Sequence, residues 1–312
     1  MLALAVLFVF GPISTVFSAE KVRFATPVKV MPLFYLPVTA AEEKGFWKEQ
    51  GLEVEWVPFE AGAAMHRAVA GGHTDMGMDG AALQVLGAAA CVPVIMLADF
   101  QVRQNFYIWV RSDSRIREPK DLKGAKVGVT RMGSLTHAYG QVAAKALAIE
   151  DVRYIAAGGI PELTAGLRSG ALDAIVLTIF EMTPRKLAGE ARDVVHVERY
   201  LPSEWMDLVA FGRREFIEKN PEVTKRVVQG LLKGGDFVMK NNEWAVEKMK
   251  AISGYSPQVA DSIYRTGVRF NRDGKIDKRS VENVRNFLVE YGLIAKEKAP
   301  PAERLYTGRF VE

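Results

Sequence analysis

A chain of 312 residues can bury a substantial core as one large domain or two moderate ones, so size does not restrict the fold. Hydrophobic residues make up 49% and charged residues 25%, which excludes a disordered, collagenous or disulfide-scaffold class. The net charge is +4 with Lys and Arg interleaved among Asp and Glu, and without a clustered basic face nucleic acid is not an expected partner.

The first eighteen residues, MLALAVLFVFGPISTVFS, carry no charge before Glu20 and hold an apolar stretch broken at Gly11-Pro12. That stretch is short for a membrane span of ~20 residues. It reads as the apolar region of a signal peptide over residues 1–19, although the usual positive n-region is missing. Export to the periplasm is the resulting expectation, and with no Cys near the cleavage region lipid attachment there is not expected.

From Lys21 onward short apolar runs alternate with helix-length amphipathic segments, the pattern of an α/β protein whose strands are covered by helices. In chain order the predicted strands are VRFAT (22–26), LEVEWVPF (52–59), DMGMD (75–79), VPVIMLAD (92–99), FYIWVR (106–111), AKVGVT (125–130), VRYIA (152–156), LDAIVL (172–177), VVHVE (194–198) and DLVAFG (207–212). After Asn220 the chain reads as consecutive helices. Pro221 suits a first helical turn, and Val281, Val284, Phe287, Leu288 and Tyr291 share one helical face. Polar punctuation in FYIWVRSDS (106–114) and WMDLVAFGRREF (205–216) marks two candidate crossings between lobes.

Cys91 is the only cysteine, set in the apolar run AAACVPVIM, so no intrachain disulfide forms and a buried, inert thiol is expected. His66, His73, His137 and His196 show no metal-ligand spacing. The run Asn271 to Asp277 resembles a calcium loop but lacks the glutamate at its twelfth position, and an Asp-Gly turn explains it. There is no Ser/His/Asp set, Walker loop or dinucleotide fingerprint. No catalytic residue, metal or cofactor is therefore expected.

Several segments occur together in order: Pro37 to Trp47 (PVTAAEEKGFW), Glu49-Gln50-Gly51-Leu52-Glu53-Val54, Gly72 to Gly77 (GHTDMG), Asp121 to Val129 (DLKGAKVGV) and Gly170 to Ala174 (GALDA). In that order they resemble the nitrate/sulfonate/taurine type of ABC-transporter substrate-binding protein, a group that includes pyrimidine-binding relatives. The resemblance spans nearly the whole mature chain. It implies a two-lobed periplasmic-binding-protein fold of type II with a ligand cleft between the lobes, where open α/β sheets bind ligands beyond the carboxyl ends of their strands. Residues 21–108 plus 209–312 would form the first lobe and 109–208 the second. The implied partners are a small organic solute and the membrane permease of an ABC importer, with the protein itself a monomer.

Candidate ligand-binding residues follow from strand ends. Gly133-Ser134-Leu135-Thr136 follows AKVGVT, with Ser134 an N-cap whose neighbouring free N–H groups suit an anionic or carbonyl oxygen. His137 is read as packing locally. Gly62-Ala63-Ala64 opens the helix after strand 52–59, where small residues admit either a ligand or a packed helix. Asp79-Gly80 ends a short strand, as helix cap or as ligand contact. Phe34 and Tyr35, in a Pro-flanked loop, offer flat side chains to a ring. Thr178 and Glu181 follow LDAIVL, and Glu181 either binds a ligand amine or complements a helix dipole.

Two functions compete with solute capture for transport. Relatives of the implied fold include pyrimidine-forming enzymes of thiamin synthesis that carry a CCCFC segment and a sacrificial His. This chain has one Cys and reads Ala81-Ala82 after Met78-Asp79-Gly80, so it is expected not to be an enzyme. A ligand sensor for another protein is the other alternative. Sulfonate-type and aminopyrimidine-type ligands stay open as rivals, because helix N-termini suit the first while Asp79 and Glu181 suit the second.

Overall fold

The computed structural model describes residues 19–27, 31–59, 62–101 and 105–311, with the side chains of Gly62 and Ala63 left aside. The predicted signal peptide, apart from its last residue, lies outside them.

In chain order the first part comprises β1 (Glu20–Pro27), α1 (Pro32–Glu43), β2 (Leu52–Phe59), α2 (Gly62–Ala70), β3 (Met76–Gly80), α3 (Ala81–Ala89) and β4 (Val94–Gln101). There follow β5 (Phe106–Arg111), β6 (Lys126–Val129), α4 (Leu135–Ala146), β7 (Arg153–Ala156), α5 (Ile160–Ser169), β8 (Ala174–Thr178), α6 (Ile179–Leu187) and β9 (Ala191–His196). The last part runs β10 (Leu208–Arg213), α7 (Arg214–Lys219), α8 (Pro221–Lys240), α9 (Asn242–Ser253), α10 (Pro257–Gly267) and α11 (Lys278–Glu290).

These strands form two five-stranded sheets, ordered β2-β1-β3-β10-β4 and β7-β6-β8-β5-β9. Each is parallel except for one inserted strand: β10 runs antiparallel between β3 and β4, and β5 runs antiparallel between β8 and β9. The inserted strands sit where both faces are covered, and their sequences FYIWVR and LVAFGR are correspondingly apolar through the middle. The chain passes from the first sheet to the second between Gln101 and Phe106, and returns between His196 and Leu208. Phe106 to Ile108, assigned from sequence to the first lobe, pair with β8 and β9 in the second sheet. The strand itself spans the residues expected of FYIWVR, and it is the lobe boundary, drawn inside that strand at its polar punctuation, that falls before Phe106 instead.

Helix α8 lies against α1 at close quarters. A Cβ on Gly234 would press into the carbonyl oxygen of Pro37 and come within 3.1 Å of the Ala41 nitrogen, so a hydrogen is all the space allows. The Trp47 indole donates to the Val227 carbonyl at 3.0 Å and packs 5.9 Å from the Phe24 ring, which fixes α8 to the first sheet.

Two expectations are corrected here. Cys91 is exposed, because the turn after α3 places it at φ 62 while Cys91 N–H bonds Ala88 and Val92 N–H bonds Gly87, lifting the side chain off the core. Phe34 and Tyr35 lie in the first turns of α1 rather than in a loop, since Pro32 starts the helix at its first position. Tyr35 is consequently buried, with its hydroxyl 2.8 Å from the Ser253 hydroxyl.

Candidate functional site

A cavity of about 220 Å³ opens between the two sheets, beside both crossings of the chain. Among the described residues its walls come from six places. Pro27, Met31, Leu33 and Phe34 contribute from the β1–α1 connection, and Asp79, Gly80, Ala82 and Leu83 from the β3–α3 junction. Leu135 and Tyr139, one helical turn apart, face it from α4, while Thr178 and Phe180 face it from the β8–α6 junction. Asn105 with Phe106, and Asp207 with Leu208, belong to the two crossings themselves. Such an apolar, aromatic chamber with few polar groups is the ordinary make-up of a small-molecule site.

The polar groups are held by the junctions. Asp79 is fully buried and accepts from Gly80 N–H at 2.8 Å and from the Gln84 amide at 3.2 Å, with His66 Nε2 at 3.4 Å. Burial pushes its pKa up, and those donors, His66 first, oppose the rise. Asn105 is 7% exposed, and its amide nitrogen has no acceptor among the described residues. Asp207 is half-buried, and its charge helps burial to raise the pKa of Tyr139 well above the usual tyrosine value.

The crossings also complete two helices. Asp207 carbonyl accepts from Ala81 N–H at 2.7 Å, and Asn105 carbonyl accepts from Ile179 N–H at 3.0 Å. Each crossing thus satisfies the first donor of a helix, α3 in one case and α6 in the other, at the cavity wall.

Of the residues singled out from sequence, the fold brings Phe34, Asp79, Gly80, Leu135 and Thr178 together on this cavity. It places Tyr35, Ala64, Gly133, Ser134, Thr136 and Glu181 elsewhere, while the side chains of Gly62 and Ala63 lie outside the described residues. Tyr35 turns into the core, and Ala64, in the first turn of α2 with Gly62 and Ala63, does not line the cavity. Gly133, Ser134 and Thr136 form the α4 cap, where the Ser134 hydroxyl accepts from His137 N–H at 3.4 Å and the Thr136 hydroxyl accepts from Thr130 N–H at 2.9 Å. His137 accepts from Gly133 N–H at 3.1 Å, and burial lowers its pKa. Glu181 folds back onto the Thr178 hydroxyl across the first turn of α6, while Thr178 accepts from Phe180 N–H at 3.3 Å. The T-x-x-E spacing of Thr178 and Glu181 is that of a capping box, and burial of the carboxyl pushes its pKa up.

Sequence reasoning missed Met31, Leu83, Asn105, Phe106, Tyr139, Phe180, Asp207 and Leu208. The signal for Asn105 and Asp207 was present, because Asn105 abuts one of the two segments marked as crossings and Asp207 lies within the other. Tyr139 was within reach too, one turn beyond Leu135 on the same helical face.

Comparison with known proteins places the architecture. The chain superposes on the periplasmic aliphatic sulphonate binding protein of Escherichia coli with a TM-score of 0.79 at 18% identity, covering 93% of this chain and 92% of that one. Against the periplasmic nitrate-binding protein of Synechocystis the TM-score is 0.70 at 13% identity, over 94% and 87% of the two chains. These likenesses show the two-lobed periplasmic-binding-protein fold. In sequence, the chain is 24% identical to the 4-amino-5-hydroxymethyl-2-methylpyrimidine phosphate synthase of Aspergillus parasiticus, over 91% of this chain and 86% of that protein. A family model described as NMT1/THI5 like matches residues 35–245, more than half of the sequence. The chain belongs to the NMT1/THI5-like family.

Proposed function

We propose that this protein is the exported solute-binding component of an ABC importer, which captures a small organic molecule between its lobes, presents it to a membrane permease and leaves it chemically unchanged. Residues 19–101 with 208–311 would move as one lobe and 106–196 as the other, closing about the two crossings as hinged binding proteins do. Among the described residues no helix is long and apolar enough to cross a membrane.

The observation that carries the choice of solute is the charge of the cavity wall. Asp79 and Asp207 line it, and among the described residues no Arg or Lys does. A dedicated sulfonate or nitrate site calls for cationic or several converging neutral donors without facing carboxylates. The wall instead suits a flat ring bearing an amine, received between Phe34, Phe106, Tyr139 and Phe180 with its amine toward the carboxylates. An aminopyrimidine of the kind used in thiamin assembly has that shape and those donors, and the fungal synthase relative supports this reading over the sulfonate one.

The test is a thermal-shift panel followed by calorimetry, with aminopyrimidines, alkanesulfonates, taurine and nitrate. A ligand that binds only the folded form raises the melting temperature by mass action. The expected result is a rise with aminopyrimidines alone, accompanied by compaction in small-angle scattering and recovery of the ligand unaltered. Stabilisation by a sulfonate or nitrate alone, or conversion of the pyrimidine, would overturn the reading.

A further inference from the structure

A second cavity, of about 480 Å³, lies apart from the first and is walled by three elements from different parts of the fold. Val142 and Lys145 reach it from α4, which packs under the second sheet; Trp205 reaches it from the return crossing; Asn286, Phe287 and Glu290 reach it from α11, which packs on α3. We propose that this groove is a second small-molecule site, for an aromatic compound carrying an anionic or carbonyl oxygen.

Three observations meet there. Trp205 is 3% exposed, yet its indole N–H has no acceptor among the described residues. A buried donor without an acceptor is costly, and an oxygen on a ligand would relieve it. The walls offer aromatic surface in favourable geometry: the Phe287 ring meets Trp205 edge-on at 5.4 Å and Tyr291 at 5.0 Å. At the rim Lys145 and Glu290 form an exposed pair at 2.5 Å, a contact already screened by water that a ligand's oxygen can enter on the lysine side at little cost. Asn286, exposed beside Phe287, adds an amide.

The groove is tied to the solute cavity through rings. Phe287 stacks on Tyr139 at 5.2 Å, and Tyr139 stacks on Phe106 at 4.7 Å, both of which line the solute cavity. A single ring pair separates the two chambers. Because α4 sits with one sheet and α11 with the other, a compound held in the groove touches both lobes and the crossing between them. Such a ligand acts on lobe movement to the extent that it binds the open and closed forms differently.

The test uses 8-anilinonaphthalene-1-sulfonate as probe on the full chain, read by fluorescence titration and by the indole N–H resonance of Trp205, identified by its loss in Trp205→Phe. Leu135→Trp fills the solute cavity; Ala146→Trp and Asn286→Trp fill the groove from exposed positions, so at least one is expected to fold. The expected result is probe binding that shifts the Trp205 resonance in the wild type and in Leu135→Trp, and that weakens tenfold or more in the groove variants. Binding that leaves the Trp205 resonance unmoved, or that disappears in Leu135→Trp while persisting in the groove variants, overturns the proposal.

Discussion

Replacing Asp99 with Asn should remove most of a pH-dependent weakness from the fold. Asp99 lies on β4 with 2% of its surface exposed; it accepts from Gln101 N–H at 3.1 Å and from the Asn271 amide at 3.2 Å, and among the described residues no cation pairs with it. Burial, with smaller contributions from Asp207 and Asp273, carries its pKa from 3.8 to about 8. The folded protein therefore keeps a proton that the unfolded chain releases above about pH 4. Stability contributed by this group is complete below pH 3.8 and is lost as pH rises through about 8. At about 1.4 kcal/mol per pH unit, the displacement sets an upper limit of roughly 6 kcal/mol, and local relaxation should reduce it to about 2–4 kcal/mol. Asparagine is neutral throughout and close in shape. Urea unfolding of both proteins at intervals from pH 4 to 9 should give a stability difference that grows in favour of Asp99→Asn up to about pH 8 and then levels. Parallel curves over that range would refute the argument that Asp99 is held protonated.

Gly234→Ala should destabilise the protein by about 2–3 kcal/mol in urea, because the new methyl drives α1 and α8 apart at Pro37 and Ala41. Asp207→Asn should weaken an amine-bearing ligand more than tenfold, or about 1.4 kcal/mol, by calorimetry; an unchanged dissociation constant would detach Asp207 from the ligand. Glu181→Gln should leave that affinity within twofold while lowering stability by about 0.5–1 kcal/mol, since its carboxylate caps α6 instead of facing the cavity.

Strands were the legible part of this fold. All ten predicted runs have an observed counterpart, and LEVEWVPF coincides with β2 at both ends, because short β-branched and aromatic runs bounded by turn residues carry their own signal. Helices starting at proline were harder. Pro32 looked like loop punctuation, but it opens α1, and the helix continues through Pro37 because packing on α8 outweighs local preference. For the site, strand-end residues Asp79, Gly80, Leu135 and Thr178 were readable from topology. Tyr35 and Glu181 were not, because which way a side chain turns depends on partners far along the chain or across a helical turn: Ser253 for Tyr35, Thr178 for Glu181. Asn105 and Asp207 acquire their place only when both crossings come together.

The insertion of β10 between β3 and β4 bears on the order in which the molecule is assembled. Every strand of the second sheet comes from the unbroken stretch 106–196, so that sheet can close as soon as this stretch is available. The first sheet is different. Its four early strands end at Gln101, yet β3 and β4 cannot be joined until residues 208–213 arrive from beyond the other lobe. Loop closure across more than a hundred residues costs more entropy and time than the contacts within 106–196. The middle of the sequence should therefore act as the folding nucleus of the whole, with the N-terminal strands held open at two edges until it is done. A chain truncated before Leu208 would keep one finished sheet beside one with exposed edges, and exposed edges are where strands pair with the wrong neighbour.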